Sequence, residues 1–317
     1  MTLNSKILRR LLIVGGGVML VCFTSVSANS MGERMRQNYV EFTQADIDEN
    51  NPLPFVLESI NNASDSSASI RYFLESVSLE TFRSRLEQPS EWCEFIPLHL
   101  NIKACSYQIR NDKHILSFYV GIKGYLTPDK AHLLQLEFES NSQDGVFIVK
   151  LFAEDGPLDS SNINFDIRAI SVEGDVRTGI YLEFDLSSIP GLAANLARIY
   201  LATVARNKIG FSIEGKTWSG KPKFVRGQRG ATERNLVRYL LAIETYFATL
   251  DIPTESQFED RLERWFDATE RYRPQLYELE RSEYISNKIR ERKNQEILQF
   301  AIQENVQPIY VQVDQRK

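Results

Sequence analysis

The chain has 317 residues, enough for one large domain or two ordinary ones with a sizeable buried core. Hydrophobic residues (43%) and charged residues (25%) occur in the proportions of a globular protein, which argues against a disordered or fibrous class. The net charge of −5 argues against a nucleic-acid partner, because binding to phosphates depends on surplus lysine and arginine.

The first 28 residues have the three-part layout of a secretory signal peptide. Three basic residues come before an apolar run at 11–26, and Ala28 ends a stretch of small residues that suits a signal peptidase. The apolar run is short for a bilayer span, which needs about 20 residues. We therefore predict a signal peptide at 1–28 and a periplasmic or secreted protein, whose net charge after cleavage is −8. The alternative is an uncleaved N-terminal membrane anchor.

Segment 29–67 is polar and weakly periodic, so we predict a mostly irregular linker with one short amphipathic piece around 54–60. From residue 68 onward, alternating apolar and polar residues predict strands, and turn-rich tetrapeptides between them indicate hairpins. Two short helices follow the first strand, one at 78–88 and one that begins at Pro89. The predicted strands cover 69–77, 100–110, 114–126, 132–141, 145–155, 163–174, 177–188 and 208–218.

The last third of the chain is mainly helical by its periodicity. A helix with little charge is predicted at 192–207, a loop at 219–230, and a long amphipathic helix at 231–250. Residues 254–303 are rich in Glu, Arg, Gln and Tyr and predict two helices broken near Pro274. We expect this tail to pack back on the sheet or to pair with another copy or a protein partner, since its aromatic and arginine content suits a contact surface.

Cys93 and Cys105 are the only cysteines outside the leader, and they lie close together in the sequence. Two nearby cysteines tend to pair in an oxidising compartment, and a crosslink that closes a loop of this size stabilises by about 3 kcal/mol in the chain-entropy model. We predict an intramolecular disulfide. The alternative is two buried free thiols, which behave as small apolar side chains.

The order of these elements resembles the START-like (SRPBCC) helix-grip superfamily over residues 68–250. The stretch "YFLESVSLETFRSRLEQPSEWCEFIP" is similar to that family's opening strand and helix pair, with Trp92 at the usual aromatic position, and "ERNLVRYLLAIETYF" is similar to its gripping helix. The resemblance implies an α+β fold in which a curved antiparallel sheet wraps around a long amphipathic helix and encloses a cavity. Residues 251–317 would then be a helical C-terminal extension. The whole chain also resembles exported bacterial proteins of uncharacterised function.

The best polar constellation lies at the start of the long helix, where Glu233 stands among arginines. These arginines would form a clamp for an anionic head group at the mouth of the cavity, or else a solvated helix start with local Glu–Arg pairs. Trp92 is either a core residue or a platform for the ligand. The candidate ligand-binding residues are Trp92, Arg226, Arg229, Arg234, Arg238, Tyr239 and Ile243.

The three histidines, His99, His114 and His132, are not at metal-ligand spacing, and no nucleophile elbow is present in the sequence. We therefore expect no metal and no cofactor, and we nominate no catalytic residue. The sequence and the resemblance together favour an exported binding or carrier protein for a lipid-like or other hydrophobic small ligand held in an internal cavity. The alternatives are a cyclase- or hydrolase-like enzyme of the same superfamily and a non-catalytic structural or interaction module.

Overall fold

The structure is a computed structural model that describes residues 30–45, 53–62, 66–121, 123–157, 160–173, 178–189 and 208–311. The predicted leader at 1–28 and the predicted helix at 192–207 lie outside the described residues. The helices are α1 (Met31–Ala45), α2 (Leu79–Leu86), α3 (Pro89–Phe95), α4 (Gly227–Phe247), α5 (Thr254–Glu270), α6 (Arg273–Leu276) and α7 (Arg281–Glu304), with single 3-10 turns at Ile96–Leu98 and Pro128–Lys130. The strands are β1 (Phe55–Asn61), β2 (Ser66–Glu75), β3 (Ile102–Arg110), β4 (Lys113–Val120), β5 (His132–Gln143), β6 (Val146–Asp155), β7 (Ser161–Glu173), β8 (Thr178–Ile189), β9 (Ile213–Lys216) and β10 (Pro222–Phe224).

Strands β1 to β8 form one antiparallel sheet in the order β1-β2-β8-β7-β6-β5-β4-β3. Strands β3 to β8 follow one another as a meander, and β8 then returns to pair with β2. Alternate residues such as Phe147, Val149 and Leu151 point to a buried inner face, where α4 packs against β1, β2 and β8. This arrangement confirms the predicted α+β fold, an antiparallel sheet packed around a long helix.

Helix α1 covers part of the opposite, outer face of the sheet. Met35 and Phe42 of this helix pack against Ile148, Ile170 and Tyr181 in a second, smaller apolar cluster. The segment predicted to be mostly irregular therefore contains a 15-residue helix as well as strand β1. The helix is polar on average and buries only a narrow stripe, and this is why its periodicity is weak in the sequence.

The boundaries before α4 also differ from the prediction. The strand predicted at 208–218 is confined to β9, and the predicted loop at 219–230 contains β10 and the first turn of the helix. Strands β9 and β10 pair as a separate two-stranded hairpin, whose turn includes Gly220 at a φ of +79°. The glycines that led to the prediction of a loop lie in this turn and at Gly227, which begins α4 at a φ of +61°.

The C-terminal helices pack onto the body of the protein, as one of the two alternatives for 254–303 predicted. Helix α5 lies against α4 and α7, and α7 runs along β3. Trp265 of α5 stacks on Tyr284 of α7 with ring centroids 5.0 Å apart, and its Nε1 donates to the carbonyl oxygen of Arg238 at 3.2 Å. Helix α4 is therefore covered by the sheet on one side and by the tail on the other. Pairing of the tail with another copy or a protein partner stays a prediction.

Two glutamines of α7 bind the backbone of the edge strand β3, and one of them also binds the backbone of α3. Gln295 Oε1 accepts from Cys105 N at 2.8 Å, and its Nε2 donates to Cys93 O at 3.0 Å. One helical turn later, Gln299 accepts from Tyr107 N at 3.0 Å and donates to Tyr107 O at 3.1 Å. Four residues of helix rise about 6 Å and two residues of strand about 6.6 Å, so the spacings nearly match. The side-chain amides thus satisfy the backbone groups of Cys105 and Tyr107 that an edge strand leaves unpaired, and Gln295 also satisfies the carbonyl of Cys93 in α3.

A buried group of charges continues this contact toward the start of β3. Glu291 pairs with Lys103 at 3.0 Å and with Lys288 at 2.8 Å, and all three side chains are almost completely buried. Each ammonium group also donates to two backbone carbonyls, those of Leu100 and Gly124 for Lys103 and those of His99 and Ile102 for Lys288. The carbonyl contacts help to compensate for the loss of hydration that these cations suffer on burial.

The disulfide predicted from the sequence is confirmed. Cys93 of α3 and Cys105 of β3 are bonded, with Cα atoms 5.0 Å apart. Both cysteines are buried in the main apolar core. The bond ties the helix that carries Trp92 to the edge strand of the sheet.

Candidate functional site

Glu233 is the centre of the polar group at the start of α4. Its side chain is completely buried, and Oε2 accepts from the backbone nitrogens of Phe211 at 2.7 Å and Ser212 at 3.0 Å. Its Oε1 accepts from Ser59 Oγ, and Arg229 Nε lies 2.8 Å from Ser59 Oγ and 3.7 Å from Glu233. Arg229 thus belongs to a local network that joins α4, β1 and the segment before β9.

The other three predicted arginines contact different parts of the chain. Arg234 donates to Ile209 O at 3.1 Å, whereas Arg238 donates to Leu276 O at 3.1 Å and to Glu278 at 3.2 Å. Arg226 lies outside the helix, at the position before its first residue. Glu278 acts electrostatically on both Arg234 and Arg238, whereas Arg229 contacts Ser59 and Glu233. Glu233, Arg234 and Arg238 are buried, so this helix start is not solvated, and the anion clamp stays a prediction.

Trp92 and Ile243 lie in the core. The Trp92 ring is fully buried, with the rings of Phe95, Phe138 and Phe165 5.3, 5.9 and 6.0 Å from it. Its Nε1 donates to Leu86 O at 2.9 Å, so the polar end of the indole is already satisfied. This is the environment expected of a core residue.

Tyr239 differs from the other residues on the sheet-facing side of α4. Its ring stacks on His99 at 4.7 Å and meets Phe165 edge-on at 5.4 Å, yet the side chain is only half-buried. Desolvation raises the pKa of Tyr239, so the hydroxyl is neutral and can both donate and accept. The candidate site is this part of α4, where the Tyr239 ring contacts the rings of His99 and Phe165.

His99 adds a second polar atom beside Tyr239. Its Nδ1 accepts from Asn101 N at 3.1 Å, and this places the proton of a neutral ring on Nε2. Burial, and then the charges of Arg238 and Lys288, lower the pKa of His99 well below its usual range. Asn235 opposes this shift, but within the described parts of the chain no group meets hydrogen-bond geometry with the buried Nε2. A neutral donor is therefore available next to the Tyr239 ring.

Arg238 joins this group from the tail side of α4. Its Nε is buried and makes no hydrogen bond with the described residues, although Nη1 and Nη2 are bonded. Burial lowers the pKa of Arg238 to about 10, which leaves the guanidinium charged at neutral pH. Of the predicted site residues, the structure brings Arg238 and Tyr239 together, and it adds His99, which the sequence analysis had set aside.

The described residues include no cluster of three or more His, Cys, Asp or Glu side chains that could hold a metal ion. None of the helices that the structure describes is both long enough and apolar enough to span a membrane.

Comparison with known proteins gives structural neighbours only. No protein-family model matches the chain, and no curated protein matches it. The chain is similar to the crystal structure of a conserved protein from Geobacillus kaustophilus, with 17% identity over 44% of this chain and 84% of that one and a TM-score of 0.29. It is similar to human STARD10 (10% identity, 57% and 78% covered, TM-score 0.30) and to truncated norcoclaurine synthase from Thalictrum flavum (13%, 49% and 89%, TM-score 0.29). The fold assignment rests on the strand order and on the place of α4.

Proposed function

We propose that this chain is an exported binding or carrier protein for a largely apolar small molecule, which it holds between the sheet and α4. The observation that carries the proposal is the buried Nε2 of His99, whose ring stacks on Tyr239 and which meets no hydrogen-bond partner among the described residues. Leaving such a group unsatisfied costs about 1–3 kcal/mol, so the position favours a molecule that supplies a partner.

The surroundings of Tyr239 indicate the chemistry of that molecule. Leu236, Leu240 and Ile243 on the same side of α4 are apolar and almost completely buried, so a molecule that entered between α4 and the sheet would need an apolar body. One hydrogen-bonding group at its end would meet the Tyr239 hydroxyl and the Nε2 donor of His99. A single hydroxyl, carbonyl or carboxyl at the end of a lipid-like body fits this pair.

Two features support the export of the protein. The first is the layout of the leader, with a basic start, an apolar run and small residues before the cleavage position. The second is the disulfide between Cys93 and Cys105, because such bonds persist mainly in oxidising compartments.

A structural or interaction module is the second candidate function, and a specific observation favours it. The space around α4 is closely filled, with Trp92, Leu236 and Tyr246 fully buried and the tail packed on the remaining side. A core filled by its own side chains has no room for a ligand. The enzyme alternative would use the neutral His99 beside Tyr239 as its acid or base.

The deciding experiment combines native mass spectrometry with lipid extraction of protein purified from its own periplasm. We expect a small apolar molecule to co-purify, and members of a panel of fatty acids, phospholipids and sterols to raise the melting temperature. Tyr239→Phe should weaken binding about fivefold, the value of one neutral hydrogen bond.

Tyr277→Phe is the matched control, because the Tyr277 hydroxyl bonds to Glu280 at the protein surface. It should bind like the unmodified chain. If nothing co-purifies and no lipid shifts the melting temperature, the carrier proposal fails and the interaction module replaces it. Turnover of a bound compound that is lost in His99→Gln would instead establish the enzyme.

A further inference from the structure

The hairpin of β9 and β10, residues 213–224, projects from the protein. We call it the basic hairpin. All four residues of β9 and two of the three in β10 are exposed, so neither face of the ribbon is packed against the body. Trp218 stands at its tip and is fully exposed. The other two tryptophans, Trp92 and Trp265, are buried, and this makes Trp218 the exception.

The base of the basic hairpin is firmly attached. Phe211 and Val225 flank it and are both buried in the body. Gly210 N donates to Val225 O at 2.7 Å, and Val225 N donates to Ser212 O at 2.9 Å. Gly210 also lies so close to Val225 and Glu233 that a Cβ atom would clash with both side chains. The hairpin is therefore presented from a fixed position.

The tip is ordered by hydrogen bonds within its own turn. Thr217 N donates to Lys221 O at 2.7 Å, and Lys221 N donates back to Thr217 Oγ1 at 3.1 Å. Gly220 N closes the turn with a bond to Thr217 O at 2.9 Å. Water exposure of a whole indole is unfavourable. A turn that holds one in this position is best explained by a surface that covers the ring.

The charge of the basic hairpin indicates which kind of surface this is. Three lysines, Lys216, Lys221 and Lys223, and one acid, Glu214, give the hairpin a net charge of +2 in a chain whose net charge is −5. Protein–protein interfaces deplete lysine, whereas the boundary of an anionic membrane attracts both tryptophan and lysine. An indole between lysines fits a headgroup layer, with the ring at the boundary of the acyl chains and the ammonium groups beside phosphates.

We propose that the basic hairpin docks this protein on the surface of an anionic lipid membrane, with Trp218 as the inserted residue. The proposal does not depend on an internal ligand, since it rests on the hairpin alone. It requires no membrane-spanning segment, because the hairpin lies on the surface.

Vesicle binding by the whole mature chain tests the proposal. We expect binding to vesicles in which about one third of the phosphatidylcholine is replaced by phosphatidylglycerol, much weaker binding to phosphatidylcholine alone, and loss of binding at high salt. Because Trp92 and Trp265 are buried, a blue shift of the fluorescence on binding, with protection from acrylamide, would report Trp218.

Variants separate the indole from the charges. Trp218→Ala should weaken binding at least about tenfold, and Lys216→Gln and Lys221→Gln about fivefold each. Phe300→Ala and Lys293→Gln, which change exposed residues of α7, should bind like the unmodified chain.

Absence of binding to the anionic vesicles would overturn the proposal, and so would a Trp218→Ala variant that binds as well as the unmodified chain. Equal binding to both kinds of vesicle would overturn the role of the lysines. A soluble protein that captures Trp218 while the vesicles do not would assign the hairpin to a protein interface instead. None of these outcomes bears on whether a molecule binds at Tyr239.

Discussion

Gln295 offers the sharpest test of how the tail is attached. Its side-chain amide bonds to the backbone of both Cys93 and Cys105, the same two residues that the disulfide joins. Gln295→Met keeps the length and volume of the side chain but removes both bonds. The amide nitrogen of Cys105 and the carbonyl oxygen of Cys93 would then be buried without these partners.

The expected loss of stability follows from these two groups. Each unsatisfied buried group costs about 1–3 kcal/mol, so we expect Gln295→Met to lower the free energy of unfolding by about 3 kcal/mol. Gln299 makes two equivalent bonds to the backbone of Tyr107 but is only half-buried. Water can therefore take over these hydrogen bonds when the amide is removed. We expect Gln299→Met to cost about 1 kcal/mol.

Urea denaturation of the oxidised protein, followed by far-UV circular dichroism, measures both values, and the slope with urea should not change. Gln303→Met is the matched control, because Gln303 lies on the same helix and is exposed. It should change the free energy of unfolding by less than about 0.5 kcal/mol. Equal losses for Gln295→Met and Gln303→Met would refute the reasoning, as would unchanged hydrogen exchange of the Cys105 amide.

Three further predictions concern the disulfide, a buried lysine and the leader. Replacing Cys93 and Cys105 by alanine should lower the free energy of unfolding by about 3 kcal/mol in urea denaturation, and unreduced protein should yield the linked peptide pair by mass spectrometry. Burial, and then the charge of Lys288, lower the pKa of Lys103 from 10.5 to about 8, so folding releases its proton and the free energy of unfolding should rise between these pH values. Lys103→Met should show a smaller rise, because burial also lowers the pKa of Lys288, and identical pH profiles would contradict the prediction. Mature protein should begin after Ala28; N-terminal sequencing that starts at Met1 would exclude cleavage.

Local sequence patterns were sufficient for strands β2 to β8 and for one side of α4, but not for β1, which lies in the segment predicted to be mostly irregular. Strand β5 was predicted at 132–141 and covers His132–Gln143, because side chains that alternate between core and solvent leave a period of two in the sequence. The sheet-facing side of α4, with Leu236 and Ile243, was recognised by its helical spacing in the same way.

The other side of α4 could not be predicted, because its partners are distant in sequence. Arg238 was assigned to a cavity mouth, yet it is buried against Leu276 and Glu278 of the tail. His99 was not nominated for any site, whereas it is buried and stacks on Tyr239. A charged or polar side chain is buried only where partners satisfy it, and no local pattern indicates partners that lie some 40 to 140 residues away.

The attachment of α7 to β3 also has a consequence for folding while the chain is being synthesised. The bonds from Gln295 and Gln299 span 190 and 192 residues of chain. On a ribosome or during translocation, the growing polypeptide therefore carries β3 as an open edge until residues 295 and 299 have emerged. Premature termination before residue 295 would release a product in which the edge of β3 is unpaired. Such products tend to aggregate by pairing their edge strands.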